Sequence, residues 1–173
     1  RLMTAMCNGT VDIVISPGRL PSKDTRSLLL WSERILIALP QDHCLAAREI
    51  IYWSDLRNET ILLSEYDPGR EFEDLLISKL VRPDDRPRVE RHNVSRGIIE
   101  SLTSMGMGLS LAMESDIGAS CPGLVYRELQ DGSGPSLVDF HAHWRDDNEN
   151  PALKRFLDLL AERYPSPPPA PGE

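Results

Sequence analysis

The sequence predicts an α/β fold with largely parallel sheets. Apolar runs that suit buried strands alternate with amphipathic segments of helical spacing, at intervals of about 20 to 30 residues. The chain of 173 residues is 40% hydrophobic and 27% charged, which is the composition of an ordinary globular protein. This length suits one large domain or two small lobes, and the way the strands can pair favours two lobes.

The first elements are predicted from three apolar segments. Apolar residues before Asn8-Gly9 indicate the end of a helix closed by glycine: Leu2, Met3 and Met6. Residues 11–16 then predict a buried strand that ends at Pro17-Gly18. Residues 27–40 are long for one strand, so they predict either two extended pieces broken near residues 32–34 or one strand that crosses between lobes.

The middle of the chain alternates turns, strands and helices. Residues 53–56 predict a short helical turn, and residues 59–66 predict a strand that ends at Tyr66. Asp67-Pro68-Gly69 is a turn signal. Residues 70–81 then predict an amphipathic helix, because apolar side chains recur there at helical spacing: Phe72, Leu75, Leu76 and Leu80.

The next elements predict a strand, a helix and a second strand in succession. Residues 87–94 alternate as a strand, and Ser95 is a suitable N-cap for the helix that carries Ile98, Ile99 and Leu102. Gly106 and Gly108 end that helix before the strand at residues 109–113.

The last part of the chain predicts a short helix from Glu114 and strands at residues 124–129 and 136–144. A helix then extends from Pro151 to Tyr164, with one apolar face: Leu153, Phe156, Leu157 and Leu160. Residues 165–173 are a Pro-rich tail that cannot build a core.

Composition excludes several classes of protein. A formal charge of −8 and a pI near 5.0 argue against nucleic-acid binding by this stretch, since phosphate contacts need clustered Lys and Arg. Three dispersed cysteines fit unpaired thiols in the cytoplasm better than disulfides or a zinc site. No apolar run reaches the roughly 20 residues that span a bilayer, so we expect no membrane contact. The first residues are not a natural start, and we expect part of a longer chain.

Several segments, taken in order, resemble the C-terminal regulatory domain of LysR-type transcriptional regulators up to about Tyr164. The segments are N-G-T-V-D-I-V-I-S from Asn8, E-R-I-L-I-A-L-P-Q-D-H-C-L-A from Glu33, D-L-R-N-E-T-I-L-L from Asp55, S-L-T-S-M-G-M-G-L-S-L from Ser101, and H-W-R followed by N-P-A-L-K-R-F-L-D-L-L near the end. No single segment is specific, whereas their order and spacing together are. Cys44 stands where the family usually has proline.

The resemblance implies a type 2 periplasmic-binding-protein-like fold, with two Rossmann-like lobes joined by two crossover strands. It assigns residues 1–34 and 120–164 to lobe one, which is truncated at its N-terminus, and residues 35–119 to lobe two. A small-molecule effector would bind in the cleft and alter the geometry of a homodimer or homotetramer. DNA would be contacted only through an N-terminal domain absent from this chain. No cofactor is implied.

Candidate effector contacts follow from the rule that clefts of open α/β sheets form at the carboxyl ends of strands. The rule selects Ser16, Pro17, Ser64, Tyr66, Ser95 and Met113, and the family resemblance adds Ala112 and strengthens Ser16 and Met113. For Ser95, the role of a plain N-cap is favoured over a ligand contact. Trp31 offers a stacking surface and suggests a partly aromatic effector, with core packing as the alternative.

Other chemistries find little support in the sequence. No G-x-S-x-G, P-loop or H-E-x-x-H pattern is present, so we expect no enzyme activity. His141 and His143 share one face of a strand, but no acidic or Cys partner stands at ligand spacing; we expect no metal and two solvent-facing side chains. The main alternative is a solute-binding protein of a transport system, which shares the fold.

Overall fold

The computed structural model describes residues 2–18, 24–66, 69–80, 82–119 and 121–165, and it divides the chain into two compact units. The first unit comprises the chain up to Ser32 and from Val138 onward, and the second comprises Glu33–Leu137. None of the described helices is both long and apolar enough to cross a lipid bilayer. The predicted turn at Asp67-Pro68 and nearly all of the predicted Pro-rich tail lie outside the described residues.

The first unit is built from helices at both ends of the chain and three strands. These are α1 (Leu2–Cys7), β1 (Ile13–Pro17), the first half of β2 (Thr25–Pro40), most of β9 (Leu137–Arg145) and α4 (Pro151–Arg163). β9 lies between β1 and β2, and it pairs with β1 in antiparallel register. Gly9 closes α1 as predicted, because Thr10 N–H donates to Ala5 O at 2.8 Å beyond the last helical turn.

The core of the first unit forms where α4 packs on the sheet. Leu30, Ala142 and Leu160 are buried there, and six partly buried apolar side chains pack against them: Ile13, Leu28, Trp31, Trp144, Leu157 and Tyr164. Asn150 caps α4 by accepting Ala152 N–H at 3.0 Å, which fixes the helix start just before Pro151. Phe156, predicted to lie on the buried face of α4, is 42% exposed.

The second unit contains a mixed sheet flanked by helices. Its elements are the second half of β2, β3 (Ile50–Tyr52), β4 (Thr60–Ser64), α2 (Gly69–Lys79), β5 (Arg88–His92), α3 (Arg96–Ser104), β6 (Ser110–Met113), β7 (Leu124–Asp131) and β8 (Gly134–Pro135). β5 pairs with β4, β6 and β7 each pair with β2, and β3 pairs with β7. A parallel bridge between Ile61 and Leu109 joins β4 to the start of β6.

The second half of β2 lies at the centre of this sheet. Residues 35–40 are all buried, because β6 and β7 take hydrogen bonds on its two edges and apolar groups cover both faces. Other fully buried apolar side chains surround them: Ile51, Leu56, Ile61, Leu62, Leu76, Leu109 and Leu129. The buried Trp53 indole also donates to Ser136 Oγ at 2.7 Å. The continuous apolar run of the sequence is thus a central strand.

The structure corrects several predictions about these strands. Residues 25–40 form one strand that passes from the first unit into the second, and the alternative of two broken pieces is wrong. The sheets are mixed rather than largely parallel, since β2 runs antiparallel to both β6 and β7. Residues 120–137, which the resemblance assigned to lobe one, lie in the second unit because β7 pairs with β2 and β3.

Two strand predictions differ in detail. The first strand is not buried throughout, because only Val14 among its residues is buried and Ile15 is 40% exposed. β4 ends at Ser64, two residues before the predicted end at Tyr66. β1 pairs with β9 along its whole length, from Ile13 to Pro17, and β4 pairs with β5 along its whole length, from Thr60 to Ser64.

The step from α3 to β6 depends on two glycines. Gly106 has φ of +78°, and Met107 N–H then donates to Leu102 O at 3.1 Å, which ends the helix. Gly108 lies against β4, where an added Cβ would stand 2.8 Å from Thr60 O. The predicted termination of α3 by these glycines is confirmed, and Gly108 has the further role of allowing close approach of two strands.

Neutralising Asp131 is expected to lower stability in a pH-dependent way. Lys79 pairs with Asp131, and Ser133 N–H donates to it at 2.9 Å; these contacts, the lysine first, hold the pKa of Asp131 well below its usual range. A carboxyl whose pKa is lower in the folded than in the unfolded state stabilises the protein above its ordinary pKa, and this contribution is lost as the pH falls.

We therefore expect Asp131→Asn to lower the thermal unfolding midpoint at pH 7, and the difference from wild type to shrink progressively below about pH 4. Thermal unfolding followed by circular dichroism from pH 7 to pH 3 measures this difference. Asp147→Asn is the matched control, because the Asp147 side chain is 80% exposed beside Arg145 and its loss should matter less. A difference for Asp131→Asn that grows towards acid pH would contradict the assigned contact.

Candidate functional site

Two buried polar atoms lie opposite each other at the carboxyl end of β1, one on β1 and one on the neighbouring strand β9. Ser16 lies directly opposite His141, and Pro17 opposite Phe140. Ser16 Oγ and His141 Nδ1 are both buried, and neither has a hydrogen-bond partner within the described part of the chain. Opposed residues of an antiparallel pair have Cβ atoms about 4.5–5.5 Å apart, so the two polar groups are neighbours.

His143 occupies the adjacent position on the same face of β9, opposite Val14. Its side chain is completely buried, with Nε2 placed 3.3 Å from Gly18 O, and its ring centroid is 5.8 Å from that of His141. The expectation that both histidines face solvent is therefore wrong for His143, since the face it occupies is part of the interior. Among the described residues no third metal ligand lies beside this pair.

Trp31 packs inside the first unit. Its ring stacks on Phe140 with 5.0 Å between centroids and an interplanar angle of 10°, and it lies 5.4 Å from the tilted ring of Tyr164. Trp31 also contacts the core formed by Leu30 and Leu160. These contacts favour the core-packing interpretation over a stacking surface for an aromatic effector.

In the second unit, the carboxyl ends of β4, β5 and β6 lie at one edge of the sheet, because the three strands run parallel. The hydroxyl of Ser64, at the end of β4, makes two hydrogen bonds within the second unit. Its Oγ donates to Val94 O at 2.8 Å and accepts Tyr66 N–H at 3.0 Å. Tyr66 itself is 52% exposed. Of these predicted contacts, Tyr66 is thus the one that presents a side chain to solvent.

The N-terminus of α3 lies near this edge and carries an ion-pair network. Ser95 occupies the N-cap position, but its side chain makes no capping hydrogen bond and is exposed. Arg96 pairs with Asp116 and, at 3.3 Å, with Glu100. Asp116 also accepts Met113 N–H at 2.6 Å, which ties the end of β6 to the turn that follows. The predicted position of Ser95 is right, although the side-chain cap is not formed.

Ala112 and Met113 belong to the core of the second unit. They pair with Leu36 and Ile35 of β2 and are only 2% and 5% exposed. Their side chains are thus packed away from solvent, so any contact of this segment with a ligand has to involve the backbone or the neighbouring acidic turn. The strand itself was predicted correctly.

Sequence reasoning missed a guanidinium that joins two acidic side chains in the second unit. Arg34 donates through Nη1 to Glu128 at 2.8 Å and through Nη2 and Nε to Glu114 at 2.5 and 3.1 Å. These charge-assisted hydrogen bonds, with Glu114 first, raise the pKa of Arg34, and Arg34 in turn lowers the pKa of Glu114. The partners are 80 and 94 residues away in sequence, so no local pattern indicates them.

Tyr126 is a second residue that the sequence did not single out. Its hydroxyl is buried, and burial, followed by the nearby Glu100, raises its pKa. It lies on β7 opposite Ala38. The second unit therefore contains a buried phenol close to the charged network at the start of α3.

Comparison with known proteins matches nearly the whole chain to one domain family. Residues 1–165 match the family model of the LysR substrate binding domain. The transcriptional dual regulator GltC of Bacillus subtilis (strain 168) is 27% identical over 123 residues, which are 70% of this chain and 40% of GltC. The chain spans between 40% and 54% of the length of the curated relatives it matches.

Solved structures share the fold at low sequence identity. The BenM effector binding domain with its effector benzoate is 19% identical, with a TM-score of 0.75, and the match covers 93% of this chain and 72% of that one. Full-length CbnR in complex with its target DNA is 18% identical, with a TM-score of 0.77 and coverage of 93% and 56%. These matches confirm the predicted type 2 periplasmic-binding-protein-like fold.

Proposed function

This chain belongs to the family of LysR substrate binding domains. We propose that it binds a small-molecule effector through the side chains of Ser16, on β1, and His141, on β9. Binding of that effector would change the activity of a transcriptional regulator. A ligand shifts a conformational equilibrium only if it binds one state more tightly than the other, so the effector must prefer one form of the regulator.

The observation that carries this proposal is the pair of buried polar atoms at Ser16 and His141. A buried hydroxyl or imidazole nitrogen without a hydrogen bond costs about 1–3 kcal/mol, so such atoms are retained where something else satisfies them. A ligand oxygen placed between the two side chains would accept from Ser16 Oγ and accept from, or donate to, His141 Nδ1, depending on the tautomer. The effector we propose therefore carries a polar oxygen group, such as a carboxylate or hydroxyl.

Removing the Ser16 hydroxyl is expected to weaken effector binding without destabilising the protein. A hydrogen bond to a charged group contributes about 1.5–3 kcal/mol, so Ser16→Ala should raise Kd roughly 10-fold to 100-fold. Ser16 Oγ makes no hydrogen bond to the described residues, so we expect the unfolding midpoint of the free variant to stay the same or rise slightly. A thermal-shift screen of aromatic acids, amino acids and other metabolites finds the ligand, and titration calorimetry then measures Kd for each variant.

Ser78→Ala is the matched control for that experiment, since Ser78 is an exposed serine of α2 whose Oγ donates to Leu75 O at 2.7 Å. It should leave Kd unchanged. An effector that binds Ser16→Ala and the wild type equally well would overturn the assignment of the contact. If no metabolite in a broad screen raises the unfolding midpoint of the wild type, effector binding by this chain is itself in doubt.

Further contacts are proposed at Pro17 and at the exposed edge of the second unit. Tyr66 is exposed after β4, and Ser95 offers a side chain that no capping bond uses. Both lie near backbone N–H groups at a helix start, which suit polar or anionic ligand atoms. Trp31, Ser64, Ala112 and Met113 are engaged in packing or local hydrogen bonds, so we propose no direct side-chain role for them.

The partners follow from the family and from charge. A net charge of −8 argues that DNA is bound by another part of the regulator, and we propose that this part lies outside the present sequence. We also propose a homodimer or homotetramer for the intact regulator, acting in the cytoplasm where bacterial DNA lies. The alternative of a solute-binding protein is not favoured, because the relatives that match are transcriptional regulators; they are not enzymes either.

A further inference from the structure

Three potential metal ligands of different chemistry meet on the second unit, at the opposite end of β4 from Ser64. His43, Cys44 and Glu59 each offer one ligand atom, and these atoms all lie within 4.8 Å of one another. His43 Nε2 lies 3.4 Å from Glu59 Oε2, whereas His43 Nδ1 accepts Leu45 N–H at 3.2 Å and lies 3.9 Å from Cys44 Sγ, so Nε2 is the ring nitrogen that can bind an ion. Cys44 is exposed, whereas the side chains of His43 and Glu59 are 21% and 25% exposed.

The backbone fixes both segments that carry these side chains. His43 precedes a 3-10 turn at Cys44–Ala47, and its N–H donates to Pro40 O at 3.0 Å while its carbonyl accepts Ala46 N–H at 2.9 Å. Glu59 N–H donates to Leu56 O at 2.9 Å. The start of β4 immediately follows Glu59, so both segments are anchored in the sheet and the ligand atoms are held near one another before any ion binds.

A thiolate, an imidazole and a carboxylate are the ligands that Zn²⁺ takes in proteins. Tetrahedral bonds to such ligands place the ligand atoms about 3.3 to 3.8 Å apart, and the distance between His43 Nε2 and Glu59 Oε2 falls in that range at 3.4 Å. We propose that His43, Cys44 and Glu59 form a site for a thiophilic divalent cation, with Zn²⁺ as the best fit. A fourth coordination position would remain open to water, as expected for a partly exposed site.

The types of ligand atom at this site disfavour hard divalent cations. Ca²⁺ and Mg²⁺ take oxygen ligands, so a sulfur and a nitrogen among three ligands disfavour both. The sequence alone favoured unpaired thiols over zinc, because its three cysteines are far apart and form no C-x-x-C pair. Glu59 lies 15 residues beyond Cys44, so only the fold brings these two ligands together.

The test uses the chain purified in a reducing buffer without thiols and stripped of metal with a chelator. Zn²⁺ is titrated in competition with a chromophoric chelator, and Co²⁺ is titrated in parallel because a thiolate bound to Co²⁺ gives a charge-transfer absorption. We expect one ion per chain, and an affinity at least about 10-fold weaker in Cys44→Ser and in Glu59→Gln. The affinity should also fall as the pH is lowered, since the ligands must lose protons to bind.

Cys7→Ser is the matched control, because Cys7 is an exposed cysteine in the other unit and its loss should leave Zn²⁺ affinity unchanged. Cys44→Pro places proline at the first position of the 3-10 turn, where proline is tolerated, and it should abolish the Co²⁺ absorption while the metal-free protein unfolds at the wild-type midpoint. Equal Zn²⁺ affinity in wild type and Cys44→Ser, or a charge-transfer absorption that survives Cys44→Ser, would overturn the proposal. Effector binding does not enter either measurement.

Discussion

Truncation of Leu129 to alanine is expected to lower the free energy of unfolding by about 2–5 kcal/mol. Leu129 is fully buried on β7, which pairs with both β2 and β3, so the cavity left by the missing side chain would lie where the sheet cannot easily collapse. Urea denaturation followed by far-ultraviolet circular dichroism measures the change as a lower transition midpoint.

Leu137→Ala provides the comparison for that substitution. It removes the same atoms from a strand residue of the same unit, but Leu137 is 53% exposed. Surface substitutions of this kind usually change stability by no more than about 0.5 kcal/mol. Equal losses for the two leucines would mean that β7 is not packed inside the second unit as described.

Gly108→Ala is expected to lower the free energy of unfolding by about 1–3 kcal/mol, because the added methyl group would overlap with neighbouring atoms of β4. The added Cβ would lie 2.8 Å from Thr60 O and 2.9 Å from Leu62 Cγ. Thr60 O accepts Leu109 N–H at 2.8 Å, so the carbonyl cannot withdraw without weakening the contact between β4 and β6. Urea denaturation again gives the measurement.

Gly97→Ala is the opposite case on the neighbouring helix α3. Nothing lies within 4 Å of a Cβ added there, and the backbone is not in the left-handed region. Such a change commonly stabilises by about 0.4–1 kcal/mol, since it restricts the unfolded chain. If Gly108→Ala were as stable as Gly97→Ala, the close approach of the two strands at Gly108 would be refuted.

Local sequence patterns predicted most of the elements. The apolar spacing of residues 70–81 predicted α2, and Phe72, Leu76 and Leu80 are buried as that spacing requires. Gly106 and Gly108 correctly marked the end of α3, because a turn and a close approach both exclude larger side chains. Information of this kind lies within a few residues, where propensity and periodicity act.

Strand direction could not be predicted in the same way. A continuous apolar run such as residues 35–40 shows that a strand is buried on both faces, and the alternation of such runs with helical segments led to the prediction of largely parallel sheets. Antiparallel neighbours bury a central strand equally well, as β6 and β7 do here. The assignment of residues 120–137 to the wrong unit has the same origin, because the partners of β7 are not encoded near it in sequence.

The candidate site was predicted in part. Ser16 was selected because it ends a strand, but its neighbour His141 depends on the register between two strands more than a hundred residues apart. The contact between Glu59 and His43 likewise needs the fold to bring two loops together. For Trp31 the sequence suggested an effector contact, whereas its ring packs against the rings of Phe140 and Tyr164.

The division of the chain at Ser32 and Val138 bears on the order in which the protein forms during synthesis. The second unit is one uninterrupted stretch, so all of its sequence has left the ribosome once the segment up to Leu137 has emerged. The first unit lacks β9 and α4 until the later segment is made. Since domains fold as units during translation, the second unit is in a position to fold first, while α1 and β1 wait for their partners.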